Sequence, residues 1–453
     1  MKPLFEEKLS RFALDLLNTQ IDSETTRILK RNILDSYAGI CGSMYDVEML
    51  EKFDRMVDIA PVETGVHVWG TNKEGTHADA IFLNTILGRR SDLLNTYFSP
   101  NNMGVSHPSD NVSLILTLAD WLGKSGKDVL NLTHLAYMLA GIFSDYYFPE
   151  SIDYDHDAAA LFYTTIVIGC ALGLDADELT NAQRIAGGMG LDTNQSARDR
   201  VTDWKHCTYA SCALRGLFAV KMAKAGIEGP YKIYQGTAGV DHFFPHADSL
   251  FGLTPDLSTV VFKRWPALVF CQTPIDAALE LAPKIGDPAS IDKIKVSTYA
   301  MCVNIGAGET AWRPDSRAGR THSLPYCVAA VLAKGSIAYQ DFDEPFADDS
   351  RLKELMAKVS VAEDPAMTAA FPAKSACAIT VTRKDGTTET ASRDYPRGDP
   401  ADPLSDVEIE SKLRTYFFFA EDDEVSSVVD QVTQLETLAD IKGLVAPLKR
   451  RRI

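Results

Sequence analysis

Apolar residues recur at three- and four-residue intervals through the first half of the chain, which is the spacing of one face of an α-helix. Between Phe12 and Ile40 this pattern predicts two amphipathic helices. The same spacing predicts further helices at residues 79–87, 113–122, 129–143, 158–174, 176–189 and 210–225. Because no convincing pair of strands interrupts them, the first half is predicted to be helix packed upon helix.

The hydrophobic pattern changes after about Thr259. Residues 294–299 alternate between apolar and polar side chains, as a half-buried strand does. Residues 378–382 and 387–390 favour strands and flank the turn-forming sequence Lys384-Asp385-Gly386, which together predict a β-hairpin. Helical spacing then returns near the C-terminus.

These patterns predict a mainly α protein with an α+β part. A helical domain is expected over residues 1–260 and an α+β domain over residues 261–400. Residues 401–453, in which 406–418 and 425–444 carry helical spacing, are expected to return and pack on the first domain. The predicted molecule is a large helical domain built from both chain ends, with a smaller α+β domain inserted.

The composition is that of a globular protein, since 45% of the 453 residues are hydrophobic, and the formal net charge is −17. Nucleic-acid binding is not expected, because phosphate contacts need a basic face. No uninterrupted apolar run approaches the roughly 18 residues that a membrane span needs. Eight cysteines without a C-x-x-C pair favour buried, reduced thiols. We therefore expect a cytoplasmic protein without nucleic-acid or membrane partners.

Three residues able to do chemistry lie in one segment between two predicted helices. Asp92, Thr96 and His107 stand around residues 97–105, a run with proline and asparagine that cannot continue a helix. Loops held by rigid elements are where binding and catalytic residues concentrate. Taken alone, the segment leaves open that Asp92 and His107 are only a local capping pair.

Other basic side chains stand at the edges of predicted elements, and their spacing does not reveal whether they converge. They are His156, Lys205, His206, Lys263, Arg264, Arg320 and His322. The chain has no H-E-x-x-H motif or cysteine cluster for a metal, and no G-x-S-x-G elbow of a serine hydrolase. The glycine-rich segments at residues 187–190 and 236–239 lack the Lys-Ser/Thr sequence with which a phosphate-binding loop contacts phosphate. We therefore predict neither a metal nor another cofactor.

The segment Ser106-His107-Pro108-Ser109-Asp110-Asn111, with the upstream Asp92-x-x-x-Thr96, resembles the signature of the MmgE/PrpD family. The resemblance runs over nearly the whole chain. It continues in Lys205 ahead of Tyr209-Ala210-Ser211, in Phe262-Lys263-Arg264-Trp265-Pro266-Ala267, in Arg320-x-His322-x-x-x-Tyr326 and in Glu363-Asp364-Pro365. It implies the same two-part fold that the hydrophobic pattern predicts, and a homodimer.

Members of this family include 2-methylcitrate dehydratase, cis-aconitate decarboxylase and iminodisuccinate epimerase. The resemblance therefore implies a lyase that acts on a small polycarboxylic acid without a metal, and the motifs are most similar to those of 2-methylcitrate dehydratase. A cis-aconitate decarboxylase, or a two-base epimerase of a dicarboxylate such as iminodisuccinate, stays open. So does a non-catalytic member that only binds a tricarboxylate.

The resemblance also implies the residues of the site. The catalytic residues would be Asp92, His107, His156, Lys205 and Lys263, and the substrate-binding residues Thr96, Tyr299, Arg320 and His322. Each family reaction develops negative charge on a carbon beside a carboxylate, so fixed cations such as Lys205 and Lys263 must stabilise it. His107 or His156 would be the base, because imidazole titrates near neutrality. Asp92 would orient an imidazole or a lysine.

Two positions depart from the family pattern. Asn95 stands where members usually carry a second acid, as in Asp-x-x-Asp-Thr. Cys271 lies near a position at which the dehydratases have a histidine. These departures bear on the exact reaction more than on the class of ligand.

Overall fold

The computed structural model describes residues 3–100, 104–146, 154–197, 200–240 and 247–450, so residues 101–103 of the predicted loop lie outside it. The described part is mainly helical. The helices are α1 (Phe5–Leu17), α2 (Ser23–Ser43), α3 (Val47–Ile59), α4 (His77–Arg90), α5 (Asp110–Leu122), α6 (Gly126–Tyr146), α7 (Ala160–Ala171), α8 (Ala176–Gly187), α9 (Thr208–Lys224), α10 (Gln272–Ile285), α11 (Ala300–Gly306), α12 (Arg317–Thr321), α13 (Leu324–Lys334), α14 (Ser350–Met356), α15 (Pro365–Ala370), α16 (Asp406–Tyr416), α17 (Asp422–Thr433) and α18 (Lys442–Val445). The strands are β1 (Val66–His67), β2 (Glu74–Gly75), β3 (Tyr97–Phe98), β4 (Val105–Ser106), β5 (Ile291–Thr298), β6 (Val359–Glu363), β7 (Cys377–Arg383) and β8 (Thr388–Arg393).

The helices predicted for the N-terminal half are present, and α7, whose residues are all buried, lies at the centre of them. The expectation of no strand pair was wrong in detail, because β1 pairs with β2 and β3 with β4, both antiparallel. Strands of two residues are too short to show alternation. Helix α3 was not predicted, although its buried Met49, Phe53 and Val57 recur at helical spacing.

The predicted α+β part contains a four-stranded sheet in the order β6-β5-β7-β8. The predicted strand corresponds to β5, and the predicted hairpin is β7 and β8, whose turn places Gly386 at a φ of 85°. Glycine adopts such a φ without strain. Strand β6 runs parallel to β5. The helical pattern of residues 425–444 is broken in the structure, because α17 ends at Thr433 and α18 begins at Lys442.

Two large hydrophobic clusters organise the chain. The larger takes its buried residues from 5–257 and 413–448, with Tyr339 in addition, and the smaller takes them from 267–391. The C-terminal helices therefore share a core with the N-terminal helices, and α16 packs against α2. We propose that the domains follow the division predicted above, because the change of cluster falls near residues 260 and 400.

Two further predictions concern membranes and thiols. Across the described ranges, no helix is both long and apolar enough to cross a membrane. All eight cysteines are free thiols, and only Cys207 is not fully buried. This agrees with the predicted reduced thiols.

Candidate functional site

The candidate site is built on the segment between α4 and α5. Helix α4 ends at Arg90, and Asp92 then has a φ of 58°, in the left-handed region that few non-glycine residues adopt. The chain forms β3 and β4 before α5 begins at Asp110. Asp92 and Thr96 are buried and His107 is partly buried. The predicted connection between two helices is present, with two short strands added.

A backbone pairing joins this segment to the one that carries Lys263. The N–H of Thr96 donates to the carbonyl of Val261 at 2.9 Å, and the N–H of Val261 donates back at 2.8 Å. The hydroxyl of Thr96 lies 3.1 Å from Nδ1 of His107. Since Lys263 follows Val261 by two residues, the pairing holds it close to the loop.

Asp92 is the point at which distant parts of the chain meet. Thr321 donates its hydroxyl to Oδ2 of Asp92 at 2.7 Å. The same oxygen lies 3.6 Å from Nδ1 of His322 and 3.7 Å from Nε2 of His206. Nζ of Lys263 lies 3.7 Å from Oδ1. Burial alone would raise the pKa of Asp92, but the surrounding basic side chains, His322 foremost, hold it well below its usual value.

Among the described residues, one ring nitrogen of His107 has no hydrogen-bond partner. Its Nδ1 lies 3.3 Å from the carbonyl oxygen of Asn95, and because a carbonyl only accepts, Nδ1 carries the proton. Nε2 is then unprotonated, and no hydrogen-bond partner for it is found among the described residues. Burial, and then the charge of Lys263, lowers the pKa of His107 well below its usual value. At neutral pH the ring is therefore an uncharged base with Nε2 unprotonated.

His156 lies beside His107, but both of its nitrogens are engaged. The two rings are 5.2 Å apart and nearly perpendicular. Arg89 donates to Nε2 of His156 at 2.9 Å, so Nδ1 carries the proton and donates to Asp155 at 3.0 Å. Burial lowers the pKa of His156 to about 4, against the opposing charge of Asp157. Of the two histidines predicted as the base, this geometry favours His107.

A buried charge network behind His156 was not predicted. Arg89 is 3% exposed and donates to Asp157 at 2.6 Å and to Asp110 at 2.9 Å. Burial raises the pKa of Asp110 to about 7 although Arg89 opposes the rise. A signal was present in the sequence, because Arg89 and Arg90 end a largely apolar helix just before Asp92. It was missed because cations at a helix C-terminus usually lie in solvent.

The two predicted lysines differ in how tightly they are paired. Nζ of Lys205 donates to Asp155 at 2.8 Å, the length of a full charge-assisted hydrogen bond. Lys263 is 1% exposed and faces the carboxylate of Asp92 at the longer distance of 3.7 Å. Burial lowers the pKa of Lys263 to about 8, and Asp92 limits the fall. Lys263 is therefore the lysine with capacity for a second anionic partner.

Asp155, His156 and Asp157 bring possible metal-ligand atoms within 4.8 Å of one another. Lys205 and Arg89 already bond to these side chains, so the protein itself balances their charge. A cavity of about 520 Å³ adjoins the group through Ser196, whose hydroxyl donates to Asp155. The cavity is lined by Leu191, Asp192, Thr193, Gln195, Ser196, Arg200, Thr202 and Trp204. Asp155 itself is fully buried behind Ser196.

Two predicted substrate-binding residues have their described contacts elsewhere. The ring of Tyr299 stacks on Phe371 at 4.4 Å, within the smaller hydrophobic cluster. Arg320 donates to the carbonyl of Phe342 at 3.0 Å. No described contact joins Tyr299 or Arg320 to the cluster around Asp92, so their role in binding stays a prediction. The structure brings together Asp92, Thr96, His107, His156, Lys205, Lys263 and His322.

Both departures from the family pattern are buried, uncharged side chains. Asn95 is fully buried, and its amide donates to the hydroxyl of Tyr137 at 3.2 Å. Cys271 is a buried thiol, whose pKa is raised by a hydrogen bond with Cys327 and by burial, so it stays neutral.

Known proteins resemble this chain over most of its length. The profile of the MmgE/PrpD N-terminal domain matches residues 7–250, and that of the C-terminal domain matches residues 265–435. The chain is 28% identical to 2-methylcitrate dehydratase of Escherichia coli (strain K12) over 364 residues, which are 74% of each chain. It is 26% identical to cis-aconitate decarboxylase of Mus musculus over 448 residues, 93% of this chain and 88% of that one. The chain therefore belongs to the MmgE/PrpD family, as its motifs predicted.

Proposed function

We propose that this protein is a lyase that acts on a small di- or tricarboxylic acid and eliminates water from it, as a 2-methylcitrate dehydratase does. One observation supports this most directly. Thr96, which contacts His107, is joined by two backbone hydrogen bonds to Val261, which lies two residues before Lys263. This pairing brings the unprotonated Nε2 of His107 and the loosely paired ammonium of Lys263 into one site. A base and a cation so placed suit the removal of a proton from a carbon beside a carboxylate.

Substrate binding would act first on Lys263. The charges of Lys205 and Arg89 are already balanced by aspartates at hydrogen-bond distance. A carboxylate placed beside Lys263 would raise the pKa of its ammonium above about 8, because an opposite charge favours the charged form. The same negative charge would raise the lowered pKa of His107 and make it a stronger base.

In the proposed reaction, Nε2 of His107 takes the proton from the carbon next to a carboxylate. The electrons of that C–H bond form the carbon–carbon double bond while the neighbouring C–O bond breaks. Lys263 gives a proton to the departing hydroxyl, so that water leaves. His107 ends protonated and Lys263 neutral, and both return to their starting states by proton exchange with solvent.

A second candidate is the decarboxylation of cis-aconitate. It is favoured by the breadth of one match, because the decarboxylase of Mus musculus aligns with 93% of this chain and the dehydratase of Escherichia coli with 74%. Loss of CO₂ would leave a carbanion that Lys263 can stabilise in the same way. The two reactions differ in their products.

Turnover assays test the proposal. The purified protein is incubated with 2-methylcitrate, citrate, cis-aconitate and iminodisuccinate, and products are followed by NMR together with released CO₂. Dehydration of 2-methylcitrate is expected, whereas CO₂ from cis-aconitate would establish the second candidate. Conversion of none of these acids would contradict the proposed function.

Two variants test the residues. His107→Gln removes the base and Lys263→Met removes the cation at similar side-chain volume, and each is expected to lower turnover by roughly 100- to 10,000-fold with the fold intact. His134→Gln is the matched control, because His134 is a buried histidine of α6 outside the cluster. Near-wild-type turnover in either of the first two variants removes that residue from the mechanism.

A further inference from the structure

His206 is a buried histidine of the site that was noted beside Lys205 in the sequence but was not placed among the predicted site residues. It ends the short 3-10 helix Asp203–His206 and is 2% exposed. Its Nδ1 lies 3.0 Å from Nη1 of Arg90. Its Nε2 has no hydrogen-bond partner in the described part of the chain and faces Oδ2 of Asp92 at 3.7 Å.

The contact with Arg90 decides which nitrogen of His206 carries the proton. A guanidinium only donates, so Nδ1 must accept and the neutral ring carries its proton on Nε2. Arg90 is itself held in place, because it donates to Asp46 at 2.7 Å and to Asp203 at 2.9 Å. The nitrogen of His206 that lies near Asp92 is therefore the one that carries the proton.

This arrangement leaves a buried donor and a buried acceptor close together without a hydrogen bond between them. A separation of 3.7 Å between Nε2 and Oδ2 is too long for a direct hydrogen bond. A buried N–H without an acceptor is unfavourable, so an oxygen that accepts from it would bind well. One oxygen could lie within hydrogen-bond distance of both atoms, provided that it can accept from His206 and donate to Asp92.

Only some ligand groups satisfy both atoms. A carboxylate accepts but cannot donate, and next to the anionic Asp92 it would be repelled. A hydroxyl accepts through a lone pair and donates through its proton. The pair is therefore matched to an alcohol.

We propose that His206 and Asp92 together bind a hydroxyl group of the substrate, so that the site selects hydroxy acids over polycarboxylates without a hydroxyl. This rests on the proposed function and narrows its substrate class. It also places the hydroxyl that leaves in a dehydration beside Asp92, the carboxylate that Lys263 faces at 3.7 Å. His206 then binds the leaving group as a neutral donor, and Lys263 supplies the proton.

Two ligands that differ by one hydroxyl test the proposal. Citrate and tricarballylate carry the same three carboxylates, and only citrate has the hydroxyl. Their dissociation constants are measured by calorimetry with the wild-type protein, and 2-methylcitrate serves as a second hydroxy acid. Citrate or 2-methylcitrate is expected to bind about 5- to 100-fold more tightly than tricarballylate, since a buried donor is otherwise left unpaired.

Two variants of His206 separate its two nitrogens. His206→Asn keeps an acceptor near the position of Nδ1 for Arg90 but has no donor at the position of Nε2. It is expected to abolish the preference for the hydroxy acid while changing the affinity for tricarballylate less than about twofold. His206→Gln places an amide N–H near the position of Nε2 and is expected to restore part of the preference. His134→Asn is the control for replacing a buried histidine.

The outcomes separate this inference from the function on which it rests. If the wild-type protein binds tricarballylate as tightly as the hydroxy acids, or if His206→Asn weakens all three ligands equally, the hydroxyl site is wrong while a polycarboxylate-binding protein remains. If the wild-type protein binds none of the three acids and converts none, the proposed function fails together with the hydroxyl site. Should His206→Asn fail to fold, the wild-type preference and His206→Gln still decide.

Discussion

Asp92 combines a left-handed backbone conformation with a buried negative charge. Its φ of 58° lies in a region that aspartate and asparagine tolerate better than most residues, because their short side chains bond locally. The other described non-glycine residue with a positive φ is the exposed Lys232, so this conformation alone does not mark a site. What distinguishes Asp92 is the set of donors that surrounds its carboxylate.

Replacing Asp92 by asparagine should separate the charge from the backbone. The amide side chain in Asp92→Asn would keep the positive φ but could not hold Lys263 and His322 by charge. We expect kcat/KM to fall roughly 100-fold or more, and the pKa of Lys263 to fall further below about 8, because its compensating anion is gone. The melting temperature should stay within a few degrees of the wild type. Full activity of Asp92→Asn would show that the charge is dispensable.

The ionisation of Lys263 predicts the alkaline side of the pH profile. Activity requires its ammonium, so kcat/KM should fall as the pH rises through about 8. The fall in kcat should lie at higher pH, because a bound carboxylate raises the pKa. Lys263→Arg should abolish the alkaline fall, since a guanidinium keeps its charge, and should lower the maximal rate, since it supplies no proton. An unchanged alkaline limb in Lys263→Arg would assign that limb to another group.

At the scale of elements, helix α16 stabilises the site through hydrogen bonds from one buried lysine to the segments that carry Asp92 and Lys263. Lys412 on α16 is buried and donates to Asp35 of α2 at 2.5 Å. It also donates to the backbone carbonyl of Lys263 at 2.7 Å and to that of Leu93 at 3.4 Å. One C-terminal side chain therefore ties together the segment that carries Lys263 and the segment that carries Asp92.

Removal of Lys412 should affect stability and activity by different routes. Lys412→Met leaves Asp35 buried without its cation, and a broken buried pair costs roughly 3–5 kcal/mol of unfolding free energy. Adding Asp35→Asn removes the orphaned charge and should recover much of that stability. Activity should stay low in the double variant, because the carbonyl groups of Lys263 and Leu93 still lack their donor. Urea unfolding and turnover rates measure both, and full recovery of activity would limit Lys412 to pairing with Asp35.

The elements that could be predicted are those with a long, regular pattern. Helices α5 and α6, strand β5 and the hairpin of β7 and β8 carry many residues at one spacing, so tertiary packing does not alter them. Pairs of two-residue strands such as β3 and β4 have no period to detect. They exist because the segment between α4 and α5 folds back on itself, which pairs Tyr97 with Ser106 and Phe98 with Val105. The break between α17 and α18 was missed because apolar spacing continues through it.

At the scale of the whole molecule, the site exists only where both parts of the chain meet. Asp92, Thr96 and His107 could be found together because they lie in one loop. Thr321, whose hydroxyl bonds Asp92, is 229 residues away, and no local pattern records that contact. Arg89 was overlooked, and His206 was noted without being placed in the site, because the burial of both side chains is produced by packing between distant segments.

The buried titratable groups act on the stability of the whole chain in opposite directions. His206 and His156 have pKa values lowered to about 4, so below pH about 6.5 the unfolded chain takes up their protons first and the fold loses stability. Asp110 has a pKa raised to about 7, so the folded chain takes up its proton first, which adds stability as the pH falls from 7. The overall pH dependence is the difference between such contributions, and a variant is needed to isolate one.

His206→Asn isolates one of them, because asparagine does not titrate. Burial, foremost, lowers the pKa of His206 from an ordinary 6.5 to about 4 in the folded chain. The unfolding free energy of the wild type relative to His206→Asn should therefore fall by roughly 2–3 kcal/mol between pH 7 and about pH 4.5, and change little above pH 7. Urea unfolding of both proteins across this range measures the difference. Parallel curves would mean that burial does not lower the pKa of His206 in the folded chain.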